Sequence, residues 1–302
     1  MAIHDKADSS TIKNSVGVDF PTNYIQISSQ VLHYTTRGSG APVILLHGMG
    51  GSLLDWQENI EPLARHYQVF ALDIPGFGKS PPPAASTDIH LGYLAKLLYA
   101  FIKAEKLPQV CLIGQSLGGG IALEFVLRYP DLVAKLVLVD SAGLGKGVTW
   151  PVRLQSIKLL HRLLLRCISK DMVKKTWASM FFDPLYVTDA LVERTWHWLQ
   201  RPETKAFLVE AHATAANLGG QRTVILPELP KIKIPALIIW GANDSVFPVS
   251  QAYAAHAHLG NSSLHVFSEC GHIPQIEKAS EFNRLVTEFF DEQRVEPVMP
   301  SA

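Results

Sequence analysis

One serine in this chain has neighbours that fit it to be a nucleophile. Val110-Cys111-Leu112-Ile113-Gly114-Gln115-Ser116-Leu117-Gly118 reads as an apolar strand running through Gly-x-Ser-x-Gly into a helix. A serine on so sharp a strand-to-helix turn holds a strained backbone, and a side chain two residues before or after it would collide with its surroundings. Gly114 and Gly118 remove that collision. The helix is expected to run from Leu117 to Tyr129, where Pro130 stops it. A phosphate-binding turn would need different groups. The Gly-x-Gly-x-x-Gly spacing is absent here, and no Gly-Lys-Ser or Gly-Lys-Thr follows the turn.

Serine is a weak nucleophile until a general base takes its proton, so Ser116 requires a histidine and an acid on loops at the carboxyl ends of strands. His272 follows the last apolar strand, in Ser268-Glu269-Cys270-Gly271-His272-Ile273-Pro274, and Asp244 follows the preceding one, in Trp240-Gly241-Ala242-Asn243-Asp244. Asp140, closing the strand Leu136 to Val139, is the rival acid. His47 precedes a glycine-rich turn, where a histidine braces the backbone more readily than it transfers protons. His161, His197 and His212 lie in a helical stretch, as surface or core-edge residues of which one could reach a substrate. No His-Glu-x-x-His and no cluster of Cys and His appears, so neither a metal nor a cofactor is called for. Cys111, Cys167 and Cys270 are odd in number and scattered, which reads as reduced thiols.

The elements that must position these residues follow from hydrophobic rhythm. Tyr24 to Ser28 and Val31 to Thr36 read as an antiparallel pair joined at Ser29-Gln30. Apolar runs then recur at Pro42 to Leu46, Gln68 to Leu72, Val110 to Ile113, Leu136 to Val139, Ala236 to Trp240 and Leu264 to Phe267. Helical stretches such as His90 to Lys106 separate them, so a mostly parallel sheet covered on both faces is expected. Between Gly143 and Val224 the rhythm gives way to a helical module without strands. Leu154, Ile157, Leu160, Leu164 and Ile168 there fall at helical spacing opposite Lys158, Arg162 and Arg166. Packing of that stripe against its own domain is the expected role, and membrane contact is not expected.

With 302 residues, 47% of them hydrophobic, the chain can bury a large core. Lys plus Arg and Asp plus Glu both number 27, so no net charge steers it toward nucleic acid, and a small neutral ligand is the expected partner. Residues 1–20 form a polar lead-in without an apolar signal region, so cytoplasmic residence is the default expectation, and residues 291–302 read as a loose tail.

Taken together the motifs resemble the α/β-hydrolase fold family, from about Tyr24 to Phe290. His47-Gly48-Met49-Gly50-Gly51 resembles the family's oxyanion loop and Asp73-Ile74-Pro75-Gly76-Phe77-Gly78-Lys79-Ser80 the turn after its next strand; the serine elbow and the Asp244 and His272 loops complete the set. The resemblance implies a core over 21–143 and 228–290 with a helical cap, 144–227, inserted after the sixth strand. It implies Ser116 as nucleophile, His272 as base, Asp244 as acid, and the backbone N–H groups of Met49 and Leu117 as oxyanion donors. A serine at the elbow points to acyl chemistry, with a carboxylic ester of a small or medium hydrophobic acyl group as the expected substrate and a monomer or homodimer as the expected assembly.

Trp150, Trp177, Met180, Phe181, Phe182, Trp196, Trp198 and Phe207 offer aromatic and apolar surface for a pocket, for the cap's own core, or for both. The segment around His272 is also similar to meta-cleavage product hydrolases, which break a carbon–carbon bond. This chain has Gln115 and Ile273 where those enzymes usually carry Asn and Trp, although a cap arginine such as Arg194 or Arg222 could pair a substrate carboxylate. The fold also serves as a ligand receptor with slow or absent turnover.

Overall fold

A computed structural model of the chain describes residues 11–13, 19–83 and 89–292. Most of the lead-in and of the tail lies outside the described residues. Within the lead-in, β1 (Thr11–Lys13) pairs antiparallel with β2 (Asp19–Pro21), a ladder its composition did not announce.

The core is one eight-stranded sheet built from β3 (Asn23–Ile27), β4 (Gln30–Arg37), β5 (Pro42–Leu46), β6 (Gln68–Leu72), β7 (Val110–Gln115), β8 (Val133–Val139), β11 (Ala236–Gly241) and β12 (Ser262–Phe267). The order is β12-β11-β8-β7-β5-β6-β4-β3. Strands β5 to β8, β11 and β12 run parallel, while β4 pairs antiparallel with both β3 and β6. The β3–β4 turn falls at Ser28-Ser29, one residue earlier than expected, because Ser28 takes the positive φ of 54° that closes it.

Strict alternation splits the sheet's side chains into two cores. Ile44, Leu46, Leu112 and Leu138 face α2 (Leu91–Ala104) and α3 (Leu117–Arg128), packing with Phe101 and Phe125. Val43, Leu45, Ile113 and Val139 face α1 (Gln57–Ala64) and the C-terminal α11 (Ala279–Asp291), packing with Trp56, Ile60 and Phe282. Both faces are covered, which is why these strands read as unbroken apolar runs.

Between β8 and β11 lie α4 (Trp150–Gln155), α5 (Lys158–Arg166), α6 (Lys170–Met180), α7 (Asp189–Leu199), α8 (Pro202–Ala215) and a two-residue ladder of β9 (Ala216–Asn217) with β10 (Gly220–Gln221). That ladder is the only sheet pairing among the described residues of the insertion. The stripe Leu154, Ile157, Leu160, Leu164 and Ile168 does not form one packed face, a correction to the sequence reading. The helix breaks at Ser156-Ile157, where Ile157 turns extended (φ −79°, ψ 99°), and α5 restarts out of register. His161 and Leu165 become its buried residues instead. After β11 come α9 (Ser250–His258) and, beyond β12, α10 (Pro274–Glu277), which leads into α11.

Candidate active site

Ser116 stands between β7 and α3 with φ 52° and ψ −116°, a conformation L-residues avoid. The two flanking glycines are required by space. A Cβ on Gly114 would come 2.4 Å from the Gly118 carbonyl oxygen, and one on Gly118 would come 2.2 Å from that of Leu46. The strain is held by ladder bonds: Ser116 N–H donates to Val139 O (2.9 Å), and its own carbonyl accepts from Gly120 and Ala142.

His272 is fixed on every side. Its Nδ1 bonds Asp244 Oδ2 at 2.9 Å, its N–H donates to Met180 O at 2.7 Å, and Gln115 Nε2 donates to its carbonyl at 3.0 Å. Asp244 is held in turn, its Oδ1 accepting from the amides of Val246 (2.7 Å) and Phe247 (3.1 Å). A carboxylate that accepts the Nδ1 proton leaves Nε2 as the basic nitrogen, the arrangement a general base needs. Ser116 and His272 line one cavity of about 580 Å³, with Met49 and Leu117 on its wall and Asp244 sealed behind His272. Leu117 opens α3, and the first N–H groups of a helix have no intrahelical acceptor.

Asp140 does not meet His272 in this bonding pattern. Its Oδ1 accepts from Gly241 N–H at 3.1 Å, and its carboxyl lies against that of Asp244. Complete burial pushes its pKa well above the usual carboxylate range, and the adjacent Asp244 charge pushes it further. Asp140 therefore sits behind the Asp244–His272 pair, bonded to Gly241 while Asp244 is the carboxylate on His272 Nδ1.

His47 braces the glycine turn, as its position suggested. Nδ1 contacts Gly48 O at 2.6 Å and Nε2 accepts from Ile74 N–H at 3.0 Å. Asp73 ties the neighbouring turns together through Leu53 N–H, Lys79 N–H and His33 Nδ1. Burial alone would raise the Asp73 pKa, but the His33 hydrogen bond and the His33 and His47 rings hold it below the usual range.

His161 and His212 both line the cavity, with rings perpendicular and centroids 4.7 Å apart, whereas His197 is exposed beside Glu193. Burial, then the neighbouring His212, lowers the His161 pKa from 6.5 to about 4. The folded protein thus resists protonation that the unfolded chain accepts. This contribution is complete above pH 6.5 and is lost as pH falls toward 4. The loss amounts to about 2 kcal/mol by pH 5. Thermal unfolding of His161→Leu at pH 7 and pH 5 should show a weaker acid-side loss of stability than the parent, and an unaltered pH dependence would refute it.

The insertion's aromatic residues divide. Trp177, Met180 and Trp198 line the cavity, Phe207 packs on Phe77, Phe181 is buried beside Trp177, and Trp150 and Phe182 are exposed. Neither proposed cap arginine reaches the cavity wall. Arg194 Nη2 pairs with Asp55 Oδ1 at 2.6 Å, and Arg222 Nε donates to the Ala213 and Ala216 carbonyls. No Lys or Arg occurs among the described lining residues.

Two organising residues went unnoticed in the sequence. Glu277 Oε1 accepts from Phe182 and Asp183 N–H, and its Oε2 from Gly271 N–H, lacing the His272 loop to the helical insertion. Asp55 closes a capping box with Ser52; Ser-x-x-Asp before a helical run could have revealed that role but not its pairing with Arg194.

The sheet order and the elbow already state a fold; the family comparison decides it. The α/β hydrolase fold model matches residues 41–161 and 147–279. This chain is an α/β hydrolase. It is 33% identical over 270 residues to a 2-hydroxy-6-oxo-6-phenylhexa-2,4-dienoate hydrolase of Comamonas testosteroni, spanning 87% of this hydrolase and 92% of the relative. Among solved structures it resembles a serine hydrolase of the polyaromatic hydrocarbon-degrading bacterium Cycloclasticus zankles, with TM-score 0.80 and 26% identity over 90% of this chain and 98% of the other. It also resembles a membrane phospholipase A, with TM-score 0.74 and 28% identity over 90% and 86%.

Proposed function

We propose that this hydrolase cleaves a carboxylic ester of an uncharged, hydrophobic acyl substrate through an acyl-enzyme on Ser116. His272 takes the Ser116 proton as Oγ attacks the carbonyl carbon, then delivers it to the departing alcohol. Asp244 keeps the imidazole oriented and stabilises it while it is charged. The Met49 and Leu117 N–H groups receive the negative charge on the former carbonyl oxygen. Water then repeats the sequence on the acyl-enzyme, releasing the acid. The segment 144–227 serves as the cap that supplies most of the pocket wall.

The observation that carries the substrate reading is the cavity's lining. Leu165, Val173, Trp177, Leu199 and Leu208 make it apolar, Asp55 is the one carboxylate among the described lining residues, and both candidate arginines are committed elsewhere. A substrate carboxylate would enter without a cationic partner, at a desolvation cost of several kcal/mol.

A second reading comes from the relatives, since the Comamonas protein is named for a dienoate. In that reading the same serine, histidine and aspartate cleave a carbon–carbon bond next to a ketone, and Arg194 leaves Asp55 to meet the carboxylate. The two separate in one experiment. The ester reading predicts that kcat/KM for p-nitrophenyl octanoate exceeds that for an ester of the same length ending in a carboxylate by at least about 100-fold. It also predicts little turnover of a ring-fission dienoate; preference for the carboxylated compounds would establish the second reading. A receptor would release about one equivalent of product per site and stop.

A further inference from the structure

We propose that the outer face of α4 and α5 docks this hydrolase on the surface of an anionic lipid bilayer. Six large apolar side chains lie open to solvent within fifteen residues: Trp150 (63% exposed), Leu154 (41%), Ile157 (38%), Leu159 (70%), Leu163 (48%) and Leu164 (40%). Soluble proteins seldom leave so dense an apolar patch uncovered unless something covers it in use. The helix break at Ser156-Ile157 creates the patch, because it turns His161 and Leu165 inward and leaves Leu159 and Leu163 outside.

Charge identifies the partner. From Ser141 to Lys170 the sequence contains no Asp or Glu, and the exposed helices carry Arg153, Lys158, Arg162 and Arg166 among the leucines. The guanidinium of Arg153 lies over the Trp150 ring, 5.0 Å from its centroid. Across the packed side, Glu210 of α8 pairs with both Lys158 and Arg162, so one carboxylate offsets four cations. Cations interleaved with leucine and tryptophan fit lipid phosphates and headgroup carboxylates above an acyl layer that receives the apolar side chains. No described helix is long and apolar enough to cross a membrane, so the contact is peripheral.

The patch is also placed for use. Pro151, Val152, Gln155, His161 and Leu165 of the same segment line the inner cavity, so the docking face is the outer wall of the substrate chamber. A hydrophobic substrate dissolved in the bilayer would meet the protein at that wall. The proposal extends the ester reading but does not depend on it, since its test reads binding.

The full chain is sedimented with vesicles of phosphatidylcholine containing about one-third phosphatidylserine, and with vesicles of phosphatidylcholine alone. Pelleting is expected with the anionic vesicles, falling at least tenfold in affinity in 0.5 M salt and in Leu159→Asp/Leu163→Asp. Circular dichroism and the thermal unfolding midpoint should be unchanged in that variant, which shows that it has folded. If the variant is unfolded, Arg162→Gln/Arg166→Gln supplies the same comparison. Equal pelleting with both vesicle types, or with neither, overturns the proposal. A dimer dissolved by Leu159→Asp/Leu163→Asp without vesicle binding also overturns it, because the covering partner would then be a second copy.

Discussion

Ser116→Ala is expected to lower kcat on an ester substrate by about a millionfold while the protein stays folded. Ser116 Oγ is the only protein atom in the proposed mechanism that bonds to the substrate's carbonyl carbon, and without it the histidine and aspartate have no enzyme nucleophile to activate. What remains is catalysis by the two oxyanion amides and by binding, worth about 10³ to 10⁴ over water. The fold should tolerate the change because alanine keeps the Cβ, and the strained turn is held by Gly114, Gly118 and the backbone bond to Val139. Circular dichroism and thermal unfolding of the variant check this. Loss of less than about tenfold in kcat would remove Ser116 from the chemistry.

The second large effect separates two carboxyls that share one buried corner. Asp244→Asn should cost about 10⁴ in kcat, because an amide facing Nδ1 can present its N–H and drive His272 into the tautomer that cannot accept the serine proton. Asp140→Asn should cost less than about tenfold. Asp140 Oδ1 accepts from Gly241 N–H, which the amide oxygen of asparagine can still do, and burial together with the Asp244 charge already disfavours ionisation at that position. Steady-state rates of the two variants decide the matter. A large loss in Asp140→Asn with a small one in Asp244→Asn would exchange their roles, although Asp244 is the carboxylate bonded to His272 Nδ1.

Much of this site was legible before any coordinates, for a local reason. A strand buried on both faces must be continuously apolar, so β5 and β6 begin and end where their apolar runs do. The elbow is readable because only glycine fits at 114 and 118, and the order serine, aspartate, histidine follows from loops at the carboxyl ends of successive strands. What stayed hidden depends on contacts distant in sequence. Periodicity made 154–168 one helix, but its break at Ser156-Ile157 decides which leucines face water. Composition could not divide Trp177, which lines the cavity, from Trp150, which does not, since both are tryptophans on helices. The commitments of Arg194 to Asp55 and of Glu277 to Gly271, Phe182 and Asp183 join the core to the insertion and leave no mark in either segment alone.

The measurement that bears most directly on the central claim is p-nitrophenol release from p-nitrophenyl esters of graded acyl length, with the Ser116→Ala variant in parallel. The account predicts many turnovers per site, an acyl preference set by the apolar cavity of about 580 Å³, and no release above background from the variant. Sustained release by the variant, or no turnover of any ester by the folded parent, would contradict it.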